Sequence, residues 1–210
     1  MNFIILADKF QKGMKSKGAV GLLNINKQKM IEHQYQHIKK KYPHAKMIYV
    51  YGFDSKKIEA YSQENKKKIL YIHNSQYETK NYAYSLYMAK EYLNDECFIT
   101  FGDTVFKSSI FKKFMNDKSQ IFINKSRKNE LGCIIADEVI SNISFGLTNY
   151  ISDMYFLTKQ TANLIQSVIS DNRYHNYFIF ELINKTIDEG QAFYPYCNSK
   201  KSVASYKEVI

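Results

Sequence analysis

Asp103 closes a short apolar run, Ile99-Thr100-Phe101-Gly102-Asp103. A carboxylate at the carboxyl end of a central strand is well placed to hold a divalent cation. Ligands of open α/β sheets gather at that edge, and Mg²⁺ is usually held by one or two carboxylates together with substrate phosphates. Gly-Asp is also ordinary turn composition, so the neighbouring residues decide its meaning. The stretch from Asp8 to Gly21 carries Lys9, Lys12, Lys15 and Lys17 among Gly13, Gly18 and Gly21. Those lysines bring enough charge to receive a triphosphate, and the glycines let backbone N–H groups approach phosphate oxygens. One metal-binding carboxylate and a lysine-rich, glycine-containing loop are the equipment of phosphoryl or nucleotidyl transfer. Catalysis there is mostly positioning and charge stabilisation.

The elements that must position these groups alternate between β and α. Apolar runs predict strands at Asn2 to Ala7, Lys46 to Tyr51, Ile69 to His73 and Cys97 to Phe101. Helical spacing predicts helices over Lys29 to Tyr42, Ser55 to Asn65 and Asn81 to Leu93, with Pro43 just past the first and Ser55 as an N-cap of the second. Asp8 to Gly21 reads as a long loop. Such an order argues an α/β fold, a mostly parallel sheet with helices on both faces. All strand ends then share one rim, which gathers Asp8, Gly52, Asn74 and Asp103. The second part is less regular. It reads as a strand at Ile121 to Asn124, a hairpin around Asp137-Glu138, a short strand at Met154 to Leu157, and helices over Thr158 to Ser170 and Tyr177 to Ile187 ended by Gly190. No repeat or linker divides the chain. We read 1–210 as one domain, with a nucleotide-binding half (1–111) and an acceptor-binding half (112–210).

Composition bounds the function classes. The 210 residues are 45% hydrophobic, enough for a folded core. No apolar run approaches the roughly 20 residues of a membrane span, and Met1 to Leu6 lacks the basic region of a signal peptide. Cys97, Cys133 and Cys197 are odd in number and far apart, which predicts reduced thiols and a cytoplasmic location. The net charge of +10 is concentrated: residues 1–70 hold 15 lysines against 5 acidic side chains, and the remainder balances. Such a field attracts polyanions, although a solvated lysine-rich surface has the same composition. No nucleic-acid module supports nucleic acid as the partner. His33 and His37, four apart on a helix without an intervening metalloprotease glutamate, read as surface residues. The 18 Tyr and 14 Phe read mainly as core.

From Met1 to about Phe111 the chain resembles the nucleoside-triphosphate transferase family, which makes nucleoside-diphosphate sugars and cholines. Ile4-Ile5-Leu6-Ala7 is similar to the family's first strand, and Leu22 to Gln34 to the segment entering its first helix. Asn74-Ser75-Gln76-Tyr77 with Asn81-Tyr82-Ala83-Tyr84-Ser85-Leu86 resembles the base-contacting loop and helix, in the form of the choline-phosphate cytidylyltransferase branch. Ile99 to Phe106 resembles the strand with the metal-binding Asp. The resemblance implies a GT-A-like (Rossmann-like) fold with Mg²⁺ as cofactor at Asp103. It also implies base contacts from Leu6, Ala7, Asn74 and Asn81, with Ser85 supporting the base-binding helix. Asp8, Lys9 and Gly102 complete the expected nucleotide-binding set, and Lys12, Lys15 and Lys17 the catalytic charge.

The first loop departs from the family's Gly-x-Gly-x-Arg, Asp8 to Met14 stands in its place, and Ala19-Val20 replaces a Pro-Lys pair. The family's second metal-binding Asp has no clear counterpart in Tyr196 to Lys201; Asp153 and Asp8 are the nearest carboxylates in loops. Three functions stay open. In the first, a nucleotidyltransferase moves a nucleoside monophosphate from CTP or another NTP to a phosphorylated sugar or choline and releases pyrophosphate. The second is a catalytically inactive relative that binds a nucleotide or a protein. The third is a GT-A glycosyltransferase, for which Asp103-Thr104-Val105 lacks the second Asp of an Asp-x-Asp.

Overall fold

In a computed structural model the described residues are 1–9, 15–113, 117–124, 131–197 and 203–206. In chain order they form β1 (Asn2–Ala7), β2 (Asn24–Ile25), β3 (Gln28–Lys29), α1 (Met30–Lys41), β4 (Lys46–Tyr51), α2 (Ser55–Glu64), β5 (Ile69–His73), α3 (Tyr82–Met88), β6 (Cys97–Phe101), β7 (Thr104–Phe106), β8 (Gln120–Asn124), β9 (Leu131–Ala136), β10 (Val139–Phe145), β11 (Tyr150–Leu157), α4 (Lys159–Ile169), α5 (Ile179–Asp188), β12 (Tyr194–Cys197) and β13 (Val203–Ser205).

One large sheet runs β10-β9-β11-β6-β1-β4-β5, with β8 joining β11 to β12. β6, β1, β4 and β5 are parallel, as the alternating β and α segments predict. β11 then enters antiparallel beside β6, and the sheet is mixed from there on. The register sets Ala7 beside Tyr51, Tyr51 beside His73, and Leu6 beside Phe101. Four strand ends therefore share one rim.

Strand alternation divides the core. Ile4, Leu6, Ile48, Val50 and Ile99 pack beneath α3, α4 and α5. Phe3, Ile5, Met47, Tyr49 and Phe98 pack beneath α1 and α2 on the other face. Phe98 is the aromatic centre of the second layer, stacked on Phe3 at 4.6 Å between ring centroids and 5.0 Å from Phe156. Cys97 and Cys133 are buried in the core, and Cys197 is exposed.

The structure differs from the sequence reading in particular places. In and just after the expected Asp8 to Gly21 loop, short 3-10 turns form at Lys15–Lys17 and Val20–Leu22; beyond it, β2 and β3 make a hairpin on the left-handed pair Asn26-Lys27. The N-cap of α2 is Asp54 in a left-handed conformation, one residue before the expected Ser55. α3 stops at Met88, because Lys90–Tyr92 tightens into a 3-10 turn. β11 starts four residues before the expected strand, because a bulge between Ile151 and Tyr155 breaks its alternation. His33 is buried, not a surface residue. Its Nε2 lies 3.0 Å from the Phe106 carbonyl oxygen and its Nδ1 3.2 Å from the Gln28 amide nitrogen, so local polar partners replace solvent.

Candidate active site

The site begins where β6 ends. Gly102 N–H donates to the Leu6 carbonyl at 2.9 Å, which draws the turn after β6 against β1. A Cβ at position 102 would lie 2.4 Å from the Ala7 Cβ and 2.7 Å from Val20 Cγ1, so only glycine fits this approach. Gln34 of α1 fastens the turn from below. Its Nε2 donates to the Phe101 and Thr104 carbonyls, each at 3.0 Å. Tyr206 N–H donates to the Asp103 carbonyl at 2.8 Å. The backbone that carries Asp103 is thus held from three elements.

Asp103 lines a cleft of about 450 Å³ together with Asp153, Tyr82, Phe101, Tyr155 and Phe178. Asp153 reaches it from the β11 bulge with φ +50°, a left-handed conformation that a non-glycine residue adopts at a cost. The Thr100 hydroxyl, 2.9 Å from the Asp153 carbonyl, holds that conformation. The rest of the wall is largely aromatic, and Phe145, which is exposed, packs edge-on against Phe180 at the mouth. The Tyr82 phenol is held well above the ordinary tyrosine range, first by burial and then by the fields of Asp103, Asp8 and Asp153. Three carboxylates thus act on one hydroxyl.

A second, more polar cleft of about 520 Å³ adjoins the first and is lined by Lys9, Thr79, Lys80, Asn81 and Asn176. Tyr82 and Phe178 line both clefts and form a ridge between them. Asn81 stands on the rim and caps α3, its Oδ1 accepting from Tyr82 N–H at 2.8 Å.

The other expected nucleotide residues lie deeper. Leu6, Ala7, Asp8, Asn74 and Ser85 are buried. Asp8 Oδ2 accepts from Asn74 Nδ2 at 3.0 Å and from the Ser85 hydroxyl at 2.8 Å. Asn74 Nδ2 also lies 3.2 Å from the Ser85 Oγ, and its Oδ1 accepts from Gln76 N–H at 2.9 Å. The Asn74 amide is therefore fully engaged within the protein. Asp8 Oδ1 is buried without a side-chain hydrogen-bond partner among the described residues, and burial raises the Asp8 pKa above its ordinary value. Lys9 is half-buried, and its ammonium donates to the Tyr77 carbonyl at 2.7 Å and to the Lys80 carbonyl. Burial pushes its pKa down.

Of the expected catalytic lysines, two are among the described residues. Lys15 and Lys17 line a groove with Lys57, Phe53 and Asp54 that does not include Asp103. Lys12 falls within 10–14 and Asn198 to Lys201 within 198–202, both outside the described residues. Sequence reasoning named Asp153 only as a nearby carboxylate. The signal that could have placed it is Ser152-Asp153, two polar residues interrupting an apolar strand.

Mg²⁺ can be tested against this donor set. Among the described residues no group of three or more His, Cys, Asp or Glu converges as a protein cage. Asp103 and Asp153 nevertheless supply hard carboxylate oxygens to one cleft. Such a pair fits Mg²⁺, which keeps several waters and takes its remaining ligands from substrate phosphates.

The fold is that of nucleotidyltransferases. Over 97% of this chain and 92% of the other, it superposes on the CTP:phosphocholine cytidylyltransferase of Streptococcus pneumoniae with a TM-score of 0.80 and 21% identity. The inositol-1-phosphate CTP transferase of T. maritima gives 0.76 at 16% identity, covering 97% of this chain and 88% of that one. The nucleoside-diphosphate-sugar pyrophosphorylase of Vibrio cholerae RC9 gives 0.72 at 12% identity, covering 100% and 99%. No family model and no curated sequence matches the chain.

Proposed function

We propose that this protein transfers a nucleoside monophosphate from an NTP to a phosphorylated small molecule. An acceptor phosphate oxygen forms a bond to the α-phosphorus, the bond from that phosphorus to the bridging oxygen breaks, and pyrophosphate leaves. The observation that carries this reading is the pair of adjoining clefts. One is polar and borders the Asn74–Tyr82 loop; the other holds Asp103 and Asp153. They meet at the strand ends where α/β sheets take ligands.

Each residue has a task that its chemistry supports. Asp103, with Asp153 beside it, would hold Mg²⁺, which when bound screens phosphate charge. Gly102 and Gln34 keep the Asp103 backbone in place. Tyr82 and Phe178 separate the nucleotide from the acceptor. The largely aromatic wall of the Asp103 cleft favours an acceptor with a cationic end, since ring faces attract an organic ammonium. That supports a choline-like phosphate over a sugar phosphate. CTP as donor is supported by the cytidylyltransferase form of the Asn74 to Leu86 segment and by the two CTP-using structural neighbours.

One observation favours a second reading, a nucleotide-binding protein without catalysis. The Lys9 ammonium is spent on backbone carbonyls, and Lys15 and Lys17 line a groove that contains neither Asp103 nor Asp153. A pyrophosphate-release assay decides between them. Each NTP is paired with choline phosphate and with sugar phosphates, with Mg²⁺, on the wild type and Asp103→Ala. Turnover with one acceptor class, lowered at least about 100-fold by Asp103→Ala, supports transfer. Nucleotide binding without pyrophosphate release under every pairing supports the second reading.

A further inference from the structure

The two residues that follow β1 have side chains directed at the same loop. Asp8 Oδ2 takes hydrogen bonds from Asn74, at the start of the loop, and from Ser85 in the helix beyond it. Asn74 in turn accepts from Gln76 N–H, which sets the first bend. Lys9 Nζ donates to the carbonyls of Tyr77 and Lys80 and lies 5.8 Å from the centroid of the Tyr82 ring. Gln76 O accepts from Thr79 N–H and Lys80 N–H, so the segment folds back toward the ammonium. Two carbonyls converging on one point repel each other unless a cation sits between them, and charge-assisted hydrogen bonds are the strong kind.

We propose that Asp8 and Lys9 form a clamp that shapes the Asn74–Tyr82 loop, making Lys9 a positioning residue for the nucleotide and not a ligand of its phosphates. The inference rests on the nucleotide-binding reading of that loop. The clamp ties β1 to the floor of the polar cleft: Lys9, Lys80 and Asn81 line the cleft, and Asp8 and Asn74 lie buried beneath it. It also explains why a lysine on the substrate rim is half-buried, although burial by itself lowers its pKa. A phosphate-binding ammonium would gain from staying hydrated until its ligand arrives; this one is already coordinated by the chain.

The test uses the full-length protein and three variants, Lys9→Met, Lys9→Gln and Lys9→Arg. Amide hydrogen exchange across residues 75–81 is measured without ligand. Binding of an NTP and of the matching nucleoside, which carries no phosphate, is measured in parallel. The clamp predicts that Lys9→Met speeds exchange in the loop at least about tenfold and weakens nucleoside and NTP by the same factor. Lys9→Arg, which can still donate to two carbonyls, restores both. Lys9→Gln supplies the comparison should Lys9→Met fail to fold. Loss of NTP binding with nucleoside binding and exchange unchanged would overturn the clamp in favour of a direct phosphate contact. Unchanged exchange in every variant would overturn it as well. If neither ligand binds the wild type, the nucleotide reading fails, while the exchange arm still decides the clamp.

Discussion

Asp8 shows how much one side chain can do from inside the protein. Its carboxyl is buried, with one oxygen taking two side-chain hydrogen bonds and the other taking none among the described residues. Burial raises its pKa from the ordinary 3.8, so the folded protein holds the proton more tightly than the unfolded chain. Stability from this group is therefore fully present below 3.8 and is lost as pH rises from there through the raised folded value. Asp8→Asn keeps an oxygen for Asn74 and Ser85 and cannot ionise. Its melting temperature relative to wild type should rise across that pH window and then level off; an advantage that shrinks with rising pH would refute the assignment. Gly102 makes an opposite point, since its contribution is the absence of a side chain. Gly102→Ala must push against both Ala7 and Val20. It should lose about 3 kcal/mol of unfolding free energy in urea, the upper range for overpacking.

At the scale of elements, much was legible and some was not. The bounds of β1, β4 and β6 follow from apolar runs, because strands covered by helices need no polar alternation; β5, a partly exposed edge strand, is equally apolar in composition. The pairings of β7 with β13 and of β8 with β12 were not legible, because such short strands exist only through partners far away in sequence. Lys9 was legible as a charge near the site but not as a clamp, since its partners are main-chain carbonyls that carry no side-chain signature. His33 misled for a similar reason, with the Phe106 carbonyl as one of its partners. The β11 bulge stores strain at Asp153 for the sake of a carboxylate in the cleft. Asp153→Gly should hold or raise stability, by up to about 1 kcal/mol, and should lower turnover. A variant that loses stability would show that the carboxylate has a structural task instead.

Across the whole molecule, the two core layers on opposite faces of one sheet make the aromatic layer a common support for both halves. Phe98 belongs to β6, and its ring contacts reach Phe3 of β1, Phe122 of β8 and Phe156 of β11. Phe98→Ala should cost about 3–5 kcal/mol, and both halves should lose structure together in thermal unfolding. The excess charge of the first 70 residues acts at this scale too. Lysines distant from the clefts still contribute to a positive field, which salt screens over about 10 Å at 0.1 M. NTP association should slow as salt rises, while nucleoside association should hardly change.

The Tyr82–Phe178 ridge gives the two clefts one further property. A joined product would hold the protein by two handles on either side of a saddle two side chains across. Once one handle is seated, the other is tethered at high local concentration, so release requires both to let go within the same short interval. On the proposed function, each fragment alone, a nucleoside monophosphate or the acceptor, would have a single handle to release. The joined molecule should therefore inhibit at concentrations well below either piece, and shortening Tyr82 should hasten its departure more than that of any fragment.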